Sequence, residues 1–428
     1  AAILGASLGV KRVEFWTDVD GVFTADPRVV HDAILVDDMS YEEAMELSFF
    51  GSKVLHPKTL APLQAKGIEA WSLNSLNPAA RGTRIGKGPF ESRTKSSICG
   101  ISALKKVSMI SVSGSGMRGR SGMAGRIFNT VSAAGISILL ITQSSSEYTI
   151  SFCVRDSEAD TVRDALSREF ELEIREKIID EIGVKTECSI ISVVGDGMIR
   201  NRGVASNFTN ALASQDINIK ALAQGSSERC ISAVINGKFA DKAVKAVHQF
   251  FFNTCQTIEV FAFGAGTIGG TMIDQIYQQH EKLLKQKIDI KVIAITTIDG
   301  MNLNENGLDL SDWRNDMKNP MYKFGPSNVD DIIKFVKEAK PLNPVFVDCT
   351  ASYDLPERYL DILDAGMSIA TPNKRANSMN MQFYKDLRKV ANKRHRRFLY
   401  ETNVGAGLPI IDTLQNLYKS GDKLESFN

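Results

Sequence analysis

The feature that most constrains the fold of this chain is an internal repeat with a fixed offset of 81 residues. Residues 110–117 recur as residues 191–198 with the same glycines, so that Gly114 corresponds to Gly195. Gln143 recurs as Gln224 at the same offset, and the two copies therefore align without a gap. Two copies are too few for a solenoid. We predict two paired modules with a cleft related by a two-fold axis.

Each copy has the order of elements expected of a small α+β module. In copy one, residues 136–142 and 148–154 are β-rich, and residues 159–170 have helical periodicity. With an opening strand and a Gly-rich turn, this order predicts a ferredoxin-like module of the split-βαβ type.

The two copies differ in how their sheets can be completed. Residues 172–175 are available as a closing strand for copy one, but copy two has no such segment before residue 258. A half-finished sheet would expose an unpaired edge. Since residues 98–104 are β-rich, we predict that they complete copy two beside residues 189–194, with copy one inserted within copy two.

A different pattern begins at residue 258. A buried-type strand (residues 258–263) runs into Gly264-x-Gly266-x-x-Gly269 and then into a helix to about residue 287. These glycines allow a tight turn and let the backbone approach a pyrophosphate at a helix N-terminus. Alternating strands and helices predict a parallel sheet, so we favour a dinucleotide site over a plain turn.

The coenzyme is less well defined by the sequence. The place where an acid would hold a ribose 2′-hydroxyl contains Thr296 and Thr297, and the nearest acid is Asp299. NAD and NADP both remain open, with NADP slightly favoured.

Polar loops follow two later strands. Residues 348–352, including Thr350, follow a strand at residues 344–348, where a loop would face the cofactor. A polar helix cap explains this loop equally well. Lys374 follows a short strand at residues 367–370, and its ammonium group could face a carbonyl or a nicotinamide. The local pattern alone favours an exposed surface lysine.

Residues 401–408 are predicted to be a buried strand that runs into a Gly-rich turn. A carboxylate with alternating backbone carbonyls suits a hard monovalent cation such as Na⁺, although a structural turn is the simpler reading. The oxygen donors would come from Glu401, Val404, Ala406 and Leu408.

The first ninety residues also alternate short strands and helices. A strand at residues 13–16 enters an acidic loop, residues 17–21, followed by Asp26-Pro27-Arg28. Asp could serve a ribose or Mg²⁺ and Arg a phosphate, but a solvated acidic turn is the local default. A capping-box pattern starts a helix at residues 41–47, and residues 86–97 read as a linker.

Composition excludes several classes of protein. With 51 Lys+Arg against 50 Asp+Glu, bulk charge does not indicate a nucleic-acid binder. No apolar run reaches the roughly 18 residues that span a bilayer, so we expect no membrane partner. The six cysteines and five histidines form no metal-binding or disulfide pattern, which favours a reducing cytoplasm.

Taken in order, these motifs resemble the bifunctional aspartokinase/homoserine dehydrogenase family over the whole chain. Residues 16–28 and 50–57 resemble the nucleotide-site segments of aspartokinases, with Phe23 where Tyr is usual. The duplicated module resembles paired ACT domains, and residues 348–350, 371–374 and 401–408 resemble the dehydrogenase cofactor loop, active-site lysine and cation loop.

The resemblance implies a role for particular residues. The ATP contacts would be Thr17, Asp18, Phe23, Arg28 and Lys53, with Mg²⁺ accompanying ATP. Threonine, as effector, would contact Gln143 and Gln224. The NAD(P) contacts would be Gly264, Gly266, Thr267, Ile268, Gly269, Thr350 and Lys374, of which Lys374 is also the catalytic candidate.

The expected fold is a multidomain α/β chain. Residues 1–90 would be the C-terminal part of an amino-acid-kinase domain, 98–188 and 189–256 the two ACT modules, and 257–405 a Rossmann domain. Residues 406–428 would begin a catalytic and dimerisation domain. We expect an internal piece of a longer protein that binds ligands without turning substrates over, because further catalytic parts of the family would lie beyond both ends.

The implied activities are phosphorylation of aspartate by ATP and interconversion of aspartate semialdehyde and homoserine with NAD(P)H. We expect a homo-oligomer, in the cytoplasm or, for a plant source, a plastid. The alternative is a non-catalytic amino-acid sensor in which the ACT pair alone works.

Overall fold

The computed structural model describes residues 1–50, 56–88, 90, 97–117, 119–143, 148–252, 256–318, 329–423 and 425. The chain divides into two compact units, Ala1–Thr254 and Cys255–Asn428. In the part of the chain so described, no helix is long and apolar enough to cross a membrane.

The first unit begins with a small α/β segment. Its elements are α1 (Ala2–Leu8), β1 (Arg12–Thr17), β2 (Asp38–Ser40), α2 (Tyr41–Phe49), α3 (Pro57–Lys66), β3 (Glu69–Asn74) and β4 (Thr83–Gly86). They form a four-stranded sheet in the order β1-β3-β4-β2, in which only β3 and β4 are antiparallel neighbours among the described strands.

The predicted capping box starts α2. The Ser40 hydroxyl accepts the Glu43 N–H at 3.1 Å, and the Glu43 carboxylate accepts the Ser40 N–H at 2.9 Å. Two donors at the helix N-terminus are thereby satisfied reciprocally, which fixes the direction of α2. This expectation from the sequence is confirmed.

The repeat forms one six-stranded sheet in the same unit. Its elements are β5 (Gly100–Ser113), α4 (Met123–Ala133), β6 (Leu140–Gln143), β7 (Thr149–Arg155), α5 (Ala159–Glu169), α6 (Glu171–Arg175), β8 (Gly183–Val194), α7 (Val204–Ala213), β9 (Ala221–Gln224), β10 (Cys230–Asn236) and α8 (Ala240–Phe252). The strand order is β6-β7-β5-β8-β10-β9. α4, β6, β7 and α5 each begin 81 residues before α7, β9, β10 and α8.

The long central strands β5 and β8 are shared between the copies. Residues 100–104 of β5 pair with residues 190–194 of β8, beside the strands of copy two, which confirms the predicted pairing. Residues 183–185 of β8 pair with residues 109–111 of β5 beside copy one. The strand that leads into copy one therefore pairs beside copy two, and the strand that leads into copy two pairs beside copy one.

The closing strand predicted over residues 172–175 is wrong. These residues lie in α6, where the Ile174 N–H donates to the Phe170 carbonyl oxygen at 2.9 Å. Glu171 and Glu173 favour a helix, and two apolar residues in alternation are too few to indicate a strand. The edge of copy one comes from the start of β8 instead.

The second unit is built on another six-stranded sheet. Its elements are β11 (Gln256–Phe263), α9 (Thr267–Lys285), β12 (Ile288–Thr297), β13 (Gly300–Leu303), α10 (Trp313–Asp316), α11 (Val329–Ala339), β14 (Pro344–Asp348), α12 (Tyr359–Asp364), β15 (Ser368–Ala370), α13 (Arg375–Ser378), α14 (Met381–Lys393), β16 (Phe398–Leu399) and α15 (Ile410–Lys419). The order is β13-β12-β11-β14-β15-β16.

Helices cover both faces of this sheet, as expected of a doubly wound fold. Phe261 of β11 packs into one core with residues of α11, α12 and α14, whereas Val260 packs into another core with Ile273 of α9. The described pairings are parallel except at β13, which returns as a hairpin on β12. The carboxyl ends of the parallel strands therefore meet at one edge.

Candidate functional site

The glycine turn between β11 and α9 has the geometry of a pyrophosphate-binding turn. Gly264 has φ +86°, a conformation that L side chains rarely adopt. A Cβ at Gly269 would lie 1.8 Å from the Gly264 carbonyl oxygen, so the third glycine is required for the helix to pack on the strand. At Gly266 an added Cβ would meet nothing within 4 Å. The second glycine therefore leaves open the approach to the helix N-terminus.

The first turn of α9 is exposed beside this opening. Thr267 and Ile268 are both exposed, and the side chain of Ile268 is 60% accessible. The backbone N–H groups of a helix N-terminus are available to an anion and carry the positive end of the helix dipole. The turn thus brings together the predicted residues Gly264 to Gly269 in a form that fits a dinucleotide.

The loop after β14 is held against the glycine turn by a buried carboxylate. Asp348 accepts hydrogen bonds from the Thr350 N–H at 2.7 Å and from the Thr350 hydroxyl at 2.6 Å. A Cβ at Gly264 would lie 2.9 Å from Thr350 Cγ2, so Thr350 lies directly beside the turn. Asp348 therefore orients this loop through Thr350. The alternative of a polar cap applies to Ser352, whose hydroxyl accepts the N–H groups of Asp354 and Leu355 at the start of the next 3₁₀ helix.

Tyr359 of α12 completes the support of Asp348, and sequence reasoning missed it. Its hydroxyl donates to the second Asp348 carboxylate oxygen at 2.6 Å, and both side chains are fully buried. Burial, with the negative charge of Asp348, raises the pKa of Tyr359, so the phenol stays protonated and remains a donor. A tyrosine on a helix that contributes to the core carries no sequence signal of this role.

The loop that carries Lys374 is joined to the same edge. The Asn373 amide donates to the Ser352 carbonyl oxygen at 2.9 Å, and the Thr371 hydroxyl donates to the Asp348 carbonyl oxygen at 2.9 Å. Lys374 is exposed just before α13. Hydrogen bonds therefore join the loops of Thr350 and Lys374, which follow the neighbouring strands β14 and β15.

The candidate ribose position lies in a tight turn. β12 ends at Thr297, and Ile298 and Asp299 form the turn into β13. The Asp299 N–H donates to the Thr297 hydroxyl at 3.2 Å.

Of the strand and Gly-rich turn predicted over residues 401–408, the buried strand is wrong and the turn is confirmed. Residues Glu401–Asn403 form a 3₁₀ turn, and Val404 and Leu408 are largely exposed. Ala406 has φ +53°, which breaks an extended conformation. The Glu401 carboxylate accepts the N–H groups of Ile411 and Asp412 at 2.9 and 3.0 Å, so it caps α15. Both oxygens of this carboxylate are thus engaged by the helix. A cation at this loop would therefore depend on the backbone carbonyls of Val404, Ala406 and Leu408 that were predicted as donors from the sequence.

A second candidate site is a cavity of about 540 Å³ in the first unit. Four of the predicted ATP contacts line it, namely Thr17, Asp18, Phe23 and Arg28. Lys53 lies outside the described residues. The Arg28 guanidinium pairs with both oxygens of Asp26 at 2.9 and 2.7 Å, and this bond lowers the pKa of the carboxyl.

Copy two of the repeat supplies the other wall of this cavity, which no sequence signal indicated. The lining residues from copy two are Ile101, Ser102, Ala103, Lys105, Asp241 and Val244. The loop of residues 21–28 is fastened to this wall at Thr24. The Ile101 N–H donates to the Thr24 carbonyl oxygen, and the Thr24 hydroxyl lies 2.8 Å from Nε2 of the buried His248.

The two glutamines predicted to contact an effector occupy equivalent places. Gln143 ends β6 and Gln224 ends β9, and each lies opposite an isoleucine of the neighbouring strand. β6 and β9 are the edges of the six-stranded sheet, yet their Cα atoms approach within 8 Å. Leu140 of β6 and Ala221 of β9 belong to one apolar cluster, so the sheet curves and brings the two edges together.

Comparison with protein families agrees with this architecture. The amino acid kinase family matches residues 1–74, the ACT domain matches residues 110–170 and 191–251, and the NAD binding domain of homoserine dehydrogenase matches residues 264–401. The fold and sites thus define a chain in which an amino-acid-kinase segment, an ACT pair and an NAD-binding domain follow one another.

Two curated relatives align with almost the whole of this chain. The bifunctional aspartokinase/homoserine dehydrogenase of Haemophilus influenzae is 48% identical over 100% of this chain, which covers 52% of that protein. A chloroplastic Arabidopsis thaliana protein of the same name is 38% identical over 99% of this chain and 47% of its own length. Over its whole length the chain is thus similar to proteins named bifunctional aspartokinase/homoserine dehydrogenase, and it spans about half the length of the curated relatives it matches.

Solved structures support the fold of the first unit. Aspartate kinase from Clostridium acetobutylicum aligns with a TM-score of 0.53 at 26% identity, over 58% of this chain and 56% of that one. Escherichia coli aspartokinase III, in complex with aspartate and ADP, aligns with a TM-score of 0.51 at 25% identity, over 59% and 55%.

Proposed function

We propose that this chain works as part of an enzyme that phosphorylates L-aspartate with ATP and interconverts aspartate semialdehyde and homoserine with NAD(P)H. The observation that carries the proposal is the glycine turn, open at Gly266 and closed at Gly269, in a domain that matches the homoserine dehydrogenase family. The relatives bear the names of enzymes, which favours this reading over a non-catalytic sensor.

In the dehydrogenase half, the N-terminus of α9 binds the pyrophosphate, and Gly266 admits it. A nicotinamide coenzyme, when bound, would supply or accept the hydride at the substrate carbon. Asp348 and Tyr359 hold Thr350 at the edge of the coenzyme site. Lys374 directs its ammonium group to the reacting carbonyl or to the nicotinamide. The backbone carbonyls of the loop after Glu401 would hold a monovalent cation such as Na⁺.

In the kinase half, the cavity beside β1 takes the nucleotide. Arg28 offers a guanidinium group to a phosphate, and Asp18 offers an oxygen ligand to a ribose hydroxyl or Mg²⁺. Phe23 provides an apolar surface for the base. The aspartate and ADP bound by Escherichia coli aspartokinase III fit this assignment.

Threonine is the proposed effector of the ACT pair. Gln143 and Gln224 present equivalent amides at the ends of two neighbouring edge strands. An amide can accept from an ammonium group and donate to a carboxylate, which suits an α-amino acid. A homo-oligomer is part of the proposal, as in the expectation from the sequence.

The test of the dehydrogenase half is NADPH binding, followed by the fluorescence of the coenzyme. Gly266→Asp places a carboxylate at the opening, so we expect affinity to fall at least tenfold, or about 1.4 kcal/mol. Asn306→Asp is a matched control, because it adds the same charge at an exposed turn of the same unit. Equal binding by the parent and Gly266→Asp would contradict the assignment.

Catalysis is tested in a chimera in which this chain replaces the matching segment of the Haemophilus influenzae relative. Homoserine-dependent NADP⁺ reduction should be lost in Gly266→Asp, whereas aspartate-dependent ADP release should persist. A chimera without either activity would contradict the enzymatic proposal.

A further inference from the structure

The nucleotide cavity of the first unit contains one lysine that the family resemblance did not assign. Lys105 lines this cavity together with Arg28, but it belongs to β5 of the repeat. Its Nζ lies 2.7 Å from the Asp241 carboxylate, and its side chain is 50% exposed. Its positive charge also contributes to the lowered pKa of Asp26. Lys105 therefore lies at the rim of the cavity, close to the acid that pairs with Arg28.

The position of Lys105 follows from a bulge in β5. The pairing of β5 with β8 shifts between Leu104 and Val107, so Lys105 and Lys106 lie outside the regular ladder. Lys106 has φ +58°, and Glu187, its counterpart 81 residues later, has φ +53°. The bulge is thus a structural property of both copies. A bulge changes the direction of side chains, and here it directs Lys105 to the cavity.

The positive charge of Lys105 has no counterpart at the corresponding position of the other long strand, β8. The residue of β8 that corresponds to Lys105 is Thr186, which does not line the cavity. Among the described lining residues, Asp18, Asp26 and Asp241 are acidic, and Arg28 and Lys105 are basic. Arg28 is engaged by Asp26 through two bonds. Lys105 has a single bond to an exposed carboxylate and is the cation more easily released.

We propose that Lys105 is a nucleotide-binding residue that the regulatory repeat contributes to the kinase site. On nucleotide binding, its ammonium group exchanges the Asp241 carboxylate for the polyphosphate, whose greater negative charge favours the exchange. The inference rests on the proposed nucleotide function of the cavity. Under this inference the nucleotide site combines residues of the α/β segment with Lys105 of the repeat. A shift of β5 would then move one of the phosphate contacts.

The test is binding of mant-ATP, a fluorescent ATP analogue, with Mg²⁺ to the chain and its variants. Lys105→Ala should weaken binding about tenfold and reduce its dependence on salt, because one phosphate contact is lost. Lys106→Ala is the matched control, since it removes an adjacent exposed lysine that does not line the cavity, and it should bind within twofold of the parent. Asp241→Asn should bind more tightly than the parent, because it removes the carboxylate that competes for Lys105.

A second ligand separates a phosphate contact from a structural effect. Adenosine has no phosphate, so its competition with mant-ATP should give the same affinity in the parent and in Lys105→Ala. If Lys105→Ala loses affinity for adenosine, or keeps its full affinity for mant-ATP, the inference about Lys105 is wrong. Neither result would contradict the proposed nucleotide function of the cavity. Failure of the parent itself to bind mant-ATP would overturn the proposed function and this inference with it.

Discussion

The two copies of the repeat have the same elements in the same order, but they have different surroundings. The core of copy two includes Ala25 and Val30 of the preceding α/β segment, whereas the core of copy one is built from its own residues. His248 of copy two reaches Thr24, and its counterpart in copy one is Ser167. A shared local pattern thus produces one copy whose main core includes residues of the α/β segment and one whose main core does not. Copy one contacts that segment through a smaller cluster, in which Phe50, the residue after α2, packs with Val107 and Leu140.

The Gly-rich turns show the same contrast. In copy one, the Gly116 N–H donates to the Ile178 carbonyl oxygen, so this turn is bonded to another part of the repeat and not to the α/β segment. In copy two, the Asp196 N–H donates at 2.7 Å to the buried carboxylate of Glu43, and Arg229 pairs with the Asp196 side chain. The turn of copy two is thus anchored to the α/β segment by a buried carboxylate, and the four predictions below test this contrast between the copies.

The largest effect is expected from Glu43→Ala. Glu43 is 1% exposed and accepts the N–H groups of both Ser40 and Asp196. Its removal leaves these donors without their charged partner, which should lower the free energy of unfolding by about 3 kcal/mol. Denaturant unfolding followed by tryptophan fluorescence in a Trp313→Phe background reports on the first unit.

The control for this variant comes from copy one. Asp180 accepts a hydrogen bond from Ser113 at 3.3 Å in an exposed setting. Asp180→Ala should therefore shift the unfolding midpoint much less than Glu43→Ala. Equal shifts would show that the two turns are anchored with similar strength and would remove the contrast.

A smaller effect is expected at the effector positions. Threonine should bind with millimolar or better affinity, and Gln143→Ala or Gln224→Ala should each weaken binding about tenfold, the value of one hydrogen bond to a charged group. The double variant should show no heat in calorimetry. If the two single variants lose threonine affinity to different extents, the comparison becomes sharper. Such a result would mean that the anchoring of copy two alters the effector position at Gln224. A double variant that still binds threonine would contradict the assignment.

A third effect depends on pH. Burial lowers the pKa of His248, although the negative charge of Asp32 opposes this. Below about pH 6.5 the unfolded chain binds a proton that the folded chain does not, so stability is lost as the pH falls toward the folded pKa. The slope is at most about 1.4 kcal/mol per pH unit.

His248→Phe should flatten this dependence between pH 7.5 and 5.5 in unfolding experiments. His31→Gln is the control, because His31 is exposed in the same unit. A slope that persists in His248→Phe, or that disappears in His31→Gln, would assign the dependence to other groups.

Local sequence signals predicted the elements that depend on neighbours in the chain. The capping box of Ser40, the Gly264 turn and the strand at residues 344–348 lie where their patterns placed them. One half of the exchange of strands also followed, because counting strands assigned residues 98–104 to copy two. The other half, in which the start of β8 pairs beside copy one, was not predicted.

The sequence was less informative where distant residues decide the structure. Glu401 caps α15 through residues ten positions later, and Tyr359 supports Asp348 from a helix. The wall of the nucleotide cavity comes from Lys105 and Asp241, about 80 to 220 residues after the loop they face. Nothing in a local pattern specifies such contacts, because they depend on how the modules pack.

The smallest effect on stability, and the sharpest comparison, is expected at two aspartates in equivalent positions. Asp241 lies in the first turn of α8 and pairs with Lys105. Asp160, 81 residues earlier, lies in the first turn of α5 and pairs with Arg163 of its own helix. Both pairs are exposed, so Asp160→Asn and Asp241→Asn should each shift the thermal midpoint by no more than about 2 °C. Only Asp241→Asn should alter the affinity for mant-ATP, because Asp241 lines the nucleotide cavity. If Asp160→Asn also altered the affinity for mant-ATP, the loss of an aspartate charge anywhere in the repeat would affect nucleotide binding. The difference between the copies would then not lie in their contacts with the cavity.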